Sequence, residues 1–259
     1  MDKMKNGAVL RNGTQRTAKE VFEKYAIVIA FLALLIVVSI LCSSFLTPSN
    51  LILVLNQTSI NGILAVGITY VLITAGIDIS IGSVVGLSGV ISAMVVKAGA
   101  PLPVGFLCGI LAGTLVGVII GILVTKGKLA PYIVTLGFLT IIRGAALLIA
   151  GGRPISSLGD AYGWIGNHNV FGIIPCPVII FLIVVVIGHI ILAHLQIGRY
   201  IYAVGGNSNA AEACGISPNK VKMFVHVFCG TCAGLAGVIL SSRVITGHPG
   251  AGEGYKLDA

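Results

Sequence analysis

The chain has 259 residues, of which 56% are hydrophobic and only 9% charged, and its mean hydropathy is +1.05. Ordinary soluble domains carry about 25% charged residues, so most of this chain is not facing water, and a single polytopic membrane domain takes up its whole length. The formal net charge of +8 does not indicate nucleic-acid binding, because the basic residues sit in short loops and the N-terminal tail with no aromatic-interleaved basic patch.

Residues 1–25 form a basic tail containing Lys3, Lys5, Arg11, Arg16, Lys19 and Lys24. The membrane domain, 26–259, follows. A span needs about 20 apolar residues, and seven runs qualify or come close: 26–46, 51–73, 83–97, 102–124, 130–150, 176–195 and 223–241. The third is short for a complete crossing. The first is long and lacks a small-residue cleavage site, so it reads as an anchor and not a removed signal peptide. Alternating sides from a cytoplasmic N-terminus puts eleven basic loop residues inside, among them Lys126, Lys128, Arg199, Lys220 and Lys222. Four fall outside: Lys97, Arg153, Arg243 and Lys256. That asymmetry supports the layout and predicts a bacterial inner-membrane protein with its N-terminus in the cytoplasm.

Between the second and third runs, Gly76-Ile-Asp-Ile-Ser-Ile-Gly-Ser83 breaks the apolar pattern. Asp78 is the one carboxylate near membrane depth between Glu23 and Asp160, and such a charge costs roughly 2.5–3.5 kcal/mol to insert. Either Asp78 or Ser80 caps the short third helix, or the two line a polar path through a broken helix. The readings are compatible. The fourth run carries Gly105, Gly109, Gly113, Gly117 and Gly121 at intervals of four. On a helix these make one flat ridge for close helix contact, with sliding between conformations as a second use. Arg143 lies some 18 Å along the fifth span at 1.5 Å per residue. It snorkels outward, or pairs with Asp78 or a backbone carbonyl.

The longest polar interruption after the tail is 198–222. Gly215 after Ala210-Ala211-Glu212-Ala213 reads as the stop of a short helix, and Ser217-Pro218 as the N-cap and first position of the next. The charge count puts this loop in the cytoplasm.

Several chemistries find little support. The six cysteines are scattered and form no disulfide framework, and Cys229-Gly-Thr-Cys232 lacks a thioredoxin-like context. The five histidines include no i, i+4 ligand pair, so no metal is expected. Gly86-Leu-Ser-Gly89 matches the G-x-S-G pattern of intramembrane serine proteases, with His189 and His226 as candidate bases for Ser88, but a four-residue match is weak among 35 glycines. There is no P-loop, so ATP hydrolysis by this chain is not expected. No catalytic residue and no cofactor is assigned.

Five ordered motifs together carry a resemblance: Thr74-Ala-Gly-Ile-Asp-Ile-Ser-Ile-Gly-Ser83, Ala130-Pro-Tyr-Ile-Val-Thr-Leu-Gly137, Gly198-Arg-Tyr-Ile-Tyr-Ala-Val-Gly-Gly-Asn207, Ala233-Gly-Leu-Ala-Gly-Val-Ile-Leu240 and Gly254-Tyr-Lys-Leu-Asp-Ala259. The chain resembles the permease subunit of bacterial ribose-type (monosaccharide) ABC importers. The resemblance implies an all-α transmembrane bundle of the type II importer kind. It also implies a second permease copy, two cytoplasmic ATP-binding subunits and an extracytoplasmic sugar-binding protein. The family's ATPase-coupling helix falls on Asn207, Ala210, Ala211, Glu212, Gly215 and Ile216. Family members continue past the Leu-Asp-Ala segment, so a C-terminally truncated version is expected. The alternatives are a related importer for another small solute (an autoinducer furanone or a branched-chain amino acid), an ion-driven secondary carrier, and an intramembrane serine protease.

Overall fold

The computed structural model describes residues 18–170, 172 and 174–255, with side chains from Tyr25 onward. Lys3, Lys5, Arg11, Arg16 and the 256–259 end of the last motif lie outside the described residues. The chain divides into two compact units, residues 1–51 and 52–259.

The first unit contains helix α1, Ala18–Leu41. Its apolar side chains are exposed, with Ile27 at 86% and Ile40 at 77%. A helix that bares such side chains is suited to hydrocarbon rather than water.

Among the described residues, the second unit is a helical bundle with a two-residue antiparallel ladder and one isolated bridge. It contains most of α2 (Pro48–Ile73), then α3 (Ile81–Lys97), α4 (Leu102–Thr125), α5 (Pro131–Ile149) and the short α6 (Trp164–Asn167). The strands β1 (Asn169–Val170) and β2 (Ile174–Pro175) pair next. α7 (Cys176–Ala193), α8 (Gln196–Gly206), α9 (Ser208–Ala213) and α10 (Pro218–Val244) complete the order. Among the described residues, α2, α4, α5, α7 and α10 are long and apolar enough to cross a membrane, while Tyr25–Leu41 and α3 are shorter. In hydrocarbon every backbone N–H and C=O must be satisfied within the segment, so long apolar runs become helices. Proline at the first or second position of α4, α5, α7 and α10 starts each where the missing N–H costs nothing.

The core is α3 against α4, α5 and α10, with α4 lying along α10. α3 is buried almost all round from Ile81 to Ala93, as befits a helix apolar on every side. α2 joins α7 through the Tyr70 hydroxyl, which donates to Gly188 O at 2.7 Å, and reaches α10 through the Tyr70–Phe228 rings, 4.4 Å apart. At the end of α10, the 150–175 connection is pinned down. Ile155 and Gly247 exchange backbone hydrogen bonds of 2.9 Å. The Gly166 N–H donates to Ser242 Oγ at 2.9 Å, and the Tyr162 hydroxyl sits 3.0 Å from Ser92 Oγ and 2.8 Å from Ser241 Oγ.

Candidate functional site

Two neighbouring places carry the polar chemistry of the bundle: the corner between α2 and α3, and the α8–α9 segment.

α8 starts two residues before the polar stretch and runs into it. Gly198, Ile201 and Val204, spaced by three, form its buried face, and Tyr202 is exposed. This spacing is helical, and it makes the beginning of the polar stretch a surface-lying amphipathic helix. The carbonyl of Ile73 leaves no space for a Cβ at Gly205, so α8 meets the end of α2 backbone to backbone.

α9 is a six-residue helix closed at both ends. The Asn207 side-chain oxygen accepts from Asn209 N and Ala210 N, both at 3.0 Å, the bonding of an N-cap. At the other end Gly215 has φ +82°. Its N–H donates to Glu212 O at 2.9 Å and that of Ile216 to Ala211 O at 3.0 Å. That pair of bonds is the Schellman closure, and its left-handed residue is why glycine stands there. Ala211 is buried and Ile216 packs on the core, while Asn207, Ala210, Glu212 and Gly215 are exposed. α10 starts with Ser217 at its N-cap position and Pro218 in its first turn, but the Ser217 side chain makes no cap bond.

The corner begins where α2 ends. Ala75 adopts φ +57°, one residue before the glycine that would adopt it at no cost. The Gly76 N–H closes onto Val71 O at 3.0 Å. Residues 76–79 are irregular. Thr135 of α5 donates through its hydroxyl to Ile77 O at 3.3 Å.

Contrary to the expected capping, neither Asp78 nor Ser80 caps α3 with its side chain. Ser80 occupies the N-cap position of α3 but makes no side-chain cap bond. Its hydroxyl and its N–H both donate to Asp78 Oδ1, at 2.6 and 2.9 Å. The carboxylate is thus satisfied by its own turn and leaves the helix N–H groups alone. Asp78 is 5% exposed and Ser80 0%. Opposite them on α10 stands His226, 2% exposed, with Nδ1 4.0 Å from Asp78 Oδ2. That distance is too long for a hydrogen bond, and His226 Nδ1 has no other partner. In the sequence His226 is no more than a candidate protease base. Its place opposite Asp78 is set by helix packing, which leaves no local signal.

Of the pairings open to Arg143, the structure has the backbone one. Nη1 donates to the carbonyls of Pro249 and, at 2.9 Å, Ala251, in the segment after α10. The guanidinium also borders a cavity of about 340 Å³ with Ser83, Thr140 and Glu253.

The glycines of α4 face α3 and α10. A Cβ on Gly113 would stand 2.6 Å from Gly230 O and from Gly234 Cα. Gly117 abuts the carbonyl of His226, and a Cβ on Gly121 would stand 2.7 Å from Met223 Sδ. Gly109 lies against Val238 of α10 and Ser88 of α3, and Gly105 against Val96. Ser88 is fully buried, and its hydroxyl has no hydrogen-bond partner, so no histidine activates it. No group of three or more His, Cys, Asp or Glu able to hold a metal occurs among the described residues.

The family described as branched-chain amino acid transport system / permease component matches residues 50–259. The ribose import permease protein RbsC of Bacillus subtilis (strain 168) is 42% identical over 241 residues, covering 92% of this chain and 74% of that protein. RbsC of Escherichia coli (strain K12) is 39% identical over 235 residues, covering 89% and 73%. The D-allose transport system permease protein AlsC of the same strain is 35% identical over 243 residues, covering 92% and 73%. No solved structure matches.

Proposed function

The chain belongs to the branched-chain amino acid transport system / permease component family, and from that premise we propose that it is the membrane-spanning subunit of an ATP-driven monosaccharide importer. The relatives carrying ribose and allose names at 35–42% identity support the sugar class. The chain forms the translocation path and performs no chemistry on the sugar. ATP is hydrolysed by separate cytoplasmic subunits, a sugar-binding protein delivers substrate from outside, and a second permease copy completes the path. The charge distribution supports a cytoplasmic N-terminus in an inner membrane.

The observation that carries this reading is α9. A six-residue helix gains little stability from its own hydrogen bonds, yet this one is capped by Asn207, anchored by Ala211 and closed by Gly215 and Ile216. It leaves Ala210 and Glu212 exposed as a rigid knob, and α10 begins only a few residues later. An ATPase that grips the knob and moves on closing would pull on α10, a two-state element biased from both sides of the membrane. Asp78 and Ser80 sit at the helix break on this path, and Arg143 braces the segment after α10.

The test is uptake of labelled ribose into vesicles holding the permease, with and without the ATPase. Glu212→Lys should lower ATP-driven uptake by about tenfold, the scale of a coupling energy of 1–3 kcal/mol, without changing the unfolding midpoint of the permease. Gly215→Val, which puts a β-branched residue at a left-handed φ, should uncouple as well. Uptake without the ATPase would make the protein a secondary carrier. Unimpaired uptake in both variants would remove α9 from the coupling role.

A further inference from the structure

Beside α9 lies a cavity of about 190 Å³ where four parts of the chain meet: Thr74 and Gly76 of the corner, Pro131 of α5, Asn207 ahead of α9, and Lys222 and His226 of α10. Well-packed interiors resist small displacements, so a void of this size at a junction gives the coupling segment room to move. His226 borders this cavity, about 12 Å along α10 from Pro218 at 1.5 Å per residue.

The same histidine holds an unused polar atom. Its Nδ1 bonds nothing in a side chain that is 2% exposed, and Asp78 Oδ2 stands 4.0 Å away. Hydrogen bonds between such atoms run about 2.7–3.2 Å, so the pair is roughly 1 Å short of one. Buried polar atoms are nearly always partnered, and an orphan calls for an explanation. Here the missing partner is in view, and the histidine that lacks it borders the cavity. The backbone of His226 is also where Gly117 of α4 abuts α10. A shift of α10 at this level therefore carries α4 with it.

We infer that Asp78 and His226 are a positioning pair of the transport cycle. Their hydrogen bond closes when the coupling segment moves into the cavity, locking the α2–α3 corner onto α10, and opens when that segment returns. The inference rests on reading α9 as the ATPase contact. It adds the element that passes the motion inward.

The test is a double-mutant cycle on the complete transporter in vesicles, with ATPase and sugar-binding protein present. Sugar moved per ATP and stimulation by loaded binding protein are both read. Asp78→Ala and His226→Phe are each expected to lower sugar per ATP by about tenfold, and the double variant by no more than either, as coupled residues do. His226→Phe keeps a ring but removes the orphaned nitrogen, so its unfolding midpoint should be no lower than that of the wild type. His226→Gln, which keeps a donor on the side chain, should recover most of the coupling. A purely structural histidine predicts normal coupling in His226→Phe, and that result overturns the inference. So do losses that multiply in the double variant. A wild-type transporter without ATP-driven uptake would instead refute the function proposed above.

Discussion

Gly113→Ala tests the close contact between α4 and α10. The added methyl would lie 2.6 Å from Gly230 O and from Gly234 Cα, both backbone atoms with no rotamer to yield. Ordinary contact starts at 3.4 Å, so α4 and α10 must part by about 0.8 Å, a gap that forfeits a quarter to a half of each neighbouring contact's attraction. Overpacking of this kind costs about 1–3 kcal/mol. Gly137 of α5 is the control: a Cβ there meets nothing within 4 Å, and removing glycine from a helix gains roughly 0.5–1 kcal/mol. That gain applies to both substitutions and cancels, so at about 2–4 °C per kcal/mol for a chain of this size the overpacking cost alone should set the two melting points roughly 2–12 °C apart. The chain's one tryptophan, Trp164, stacks on His168 near the end of α10 and gives a fluorescence signal for unfolding in detergent. Equal midpoints for Gly113→Ala and Gly137→Ala would refute the packing argument.

Three further outcomes follow from the hydrogen bonds. Arg143→Met keeps the aliphatic stem but leaves the Pro249 and Ala251 carbonyls without their donor. It should cost about 1–3 kcal/mol and speed hydrogen exchange across 247–255, while exchange in α2 stays unchanged. Asn207→Ala removes both bonds that cap α9, a loss of about 1 kcal/mol that should appear as faster exchange at Asn209 and Ala210. Tyr162 is held neutral by burial, which raises its pKa above the usual 10.0 although bonds to Ser241 and Ser92 pull the other way. It therefore withdraws no stability below pH 10 and destabilises the fold as pH climbs from 10 towards its folded value. Tyr162→Phe should lose about 1 kcal/mol near neutrality and show a flatter decline above pH 10 than the wild type, read by the same unfolding assay.

The spans were legible because lipid leaves a polytopic chain few choices. Long apolar runs must be helices, and the runs at 51–73, 102–124 and 130–150 fall within a few residues of α2, α4 and α5. The stop at Gly215 was legible for a local reason, since a left-handed residue after a short helix favours glycine. α8 was less visible, because its buried face consists of Gly198, Ile201 and Val204 among polar neighbours, and one of those three has no side chain to weigh. The Asp78–His226 juxtaposition had no sequence signal. Asp78 lies in the irregular corner and His226 on α10, and the seating of α10 that brings them together is set by glycines of α4 and α2 that pack on it.

The shortness of α3 and the buried carboxylate have one physical origin. At 17 residues and 1.5 Å per residue α3 is about 25 Å long, less than the roughly 30 Å of a hydrocarbon core. The irregular residues 76–79 lead into α3. Irregular backbone survives there only where protein covers it. The cover is specific: Thr135 bonds Ile77 O, Ser80 bonds Asp78, and α10 closes the open side with His226. α10 comes close enough because Gly113 and Gly117 face it from α4 and Gly67 meets Cys229 and Cys232 from α2. A side chain at Gly117 would clash with the carbonyl of His226 itself and displace α10 from the seat that sets its 4.0 Å spacing to Asp78. Gly117→Ala should therefore impair sugar per ATP even though it touches neither the sugar path nor α9. Added to His226→Phe it should do no further harm, because the bond that it weakens is already gone.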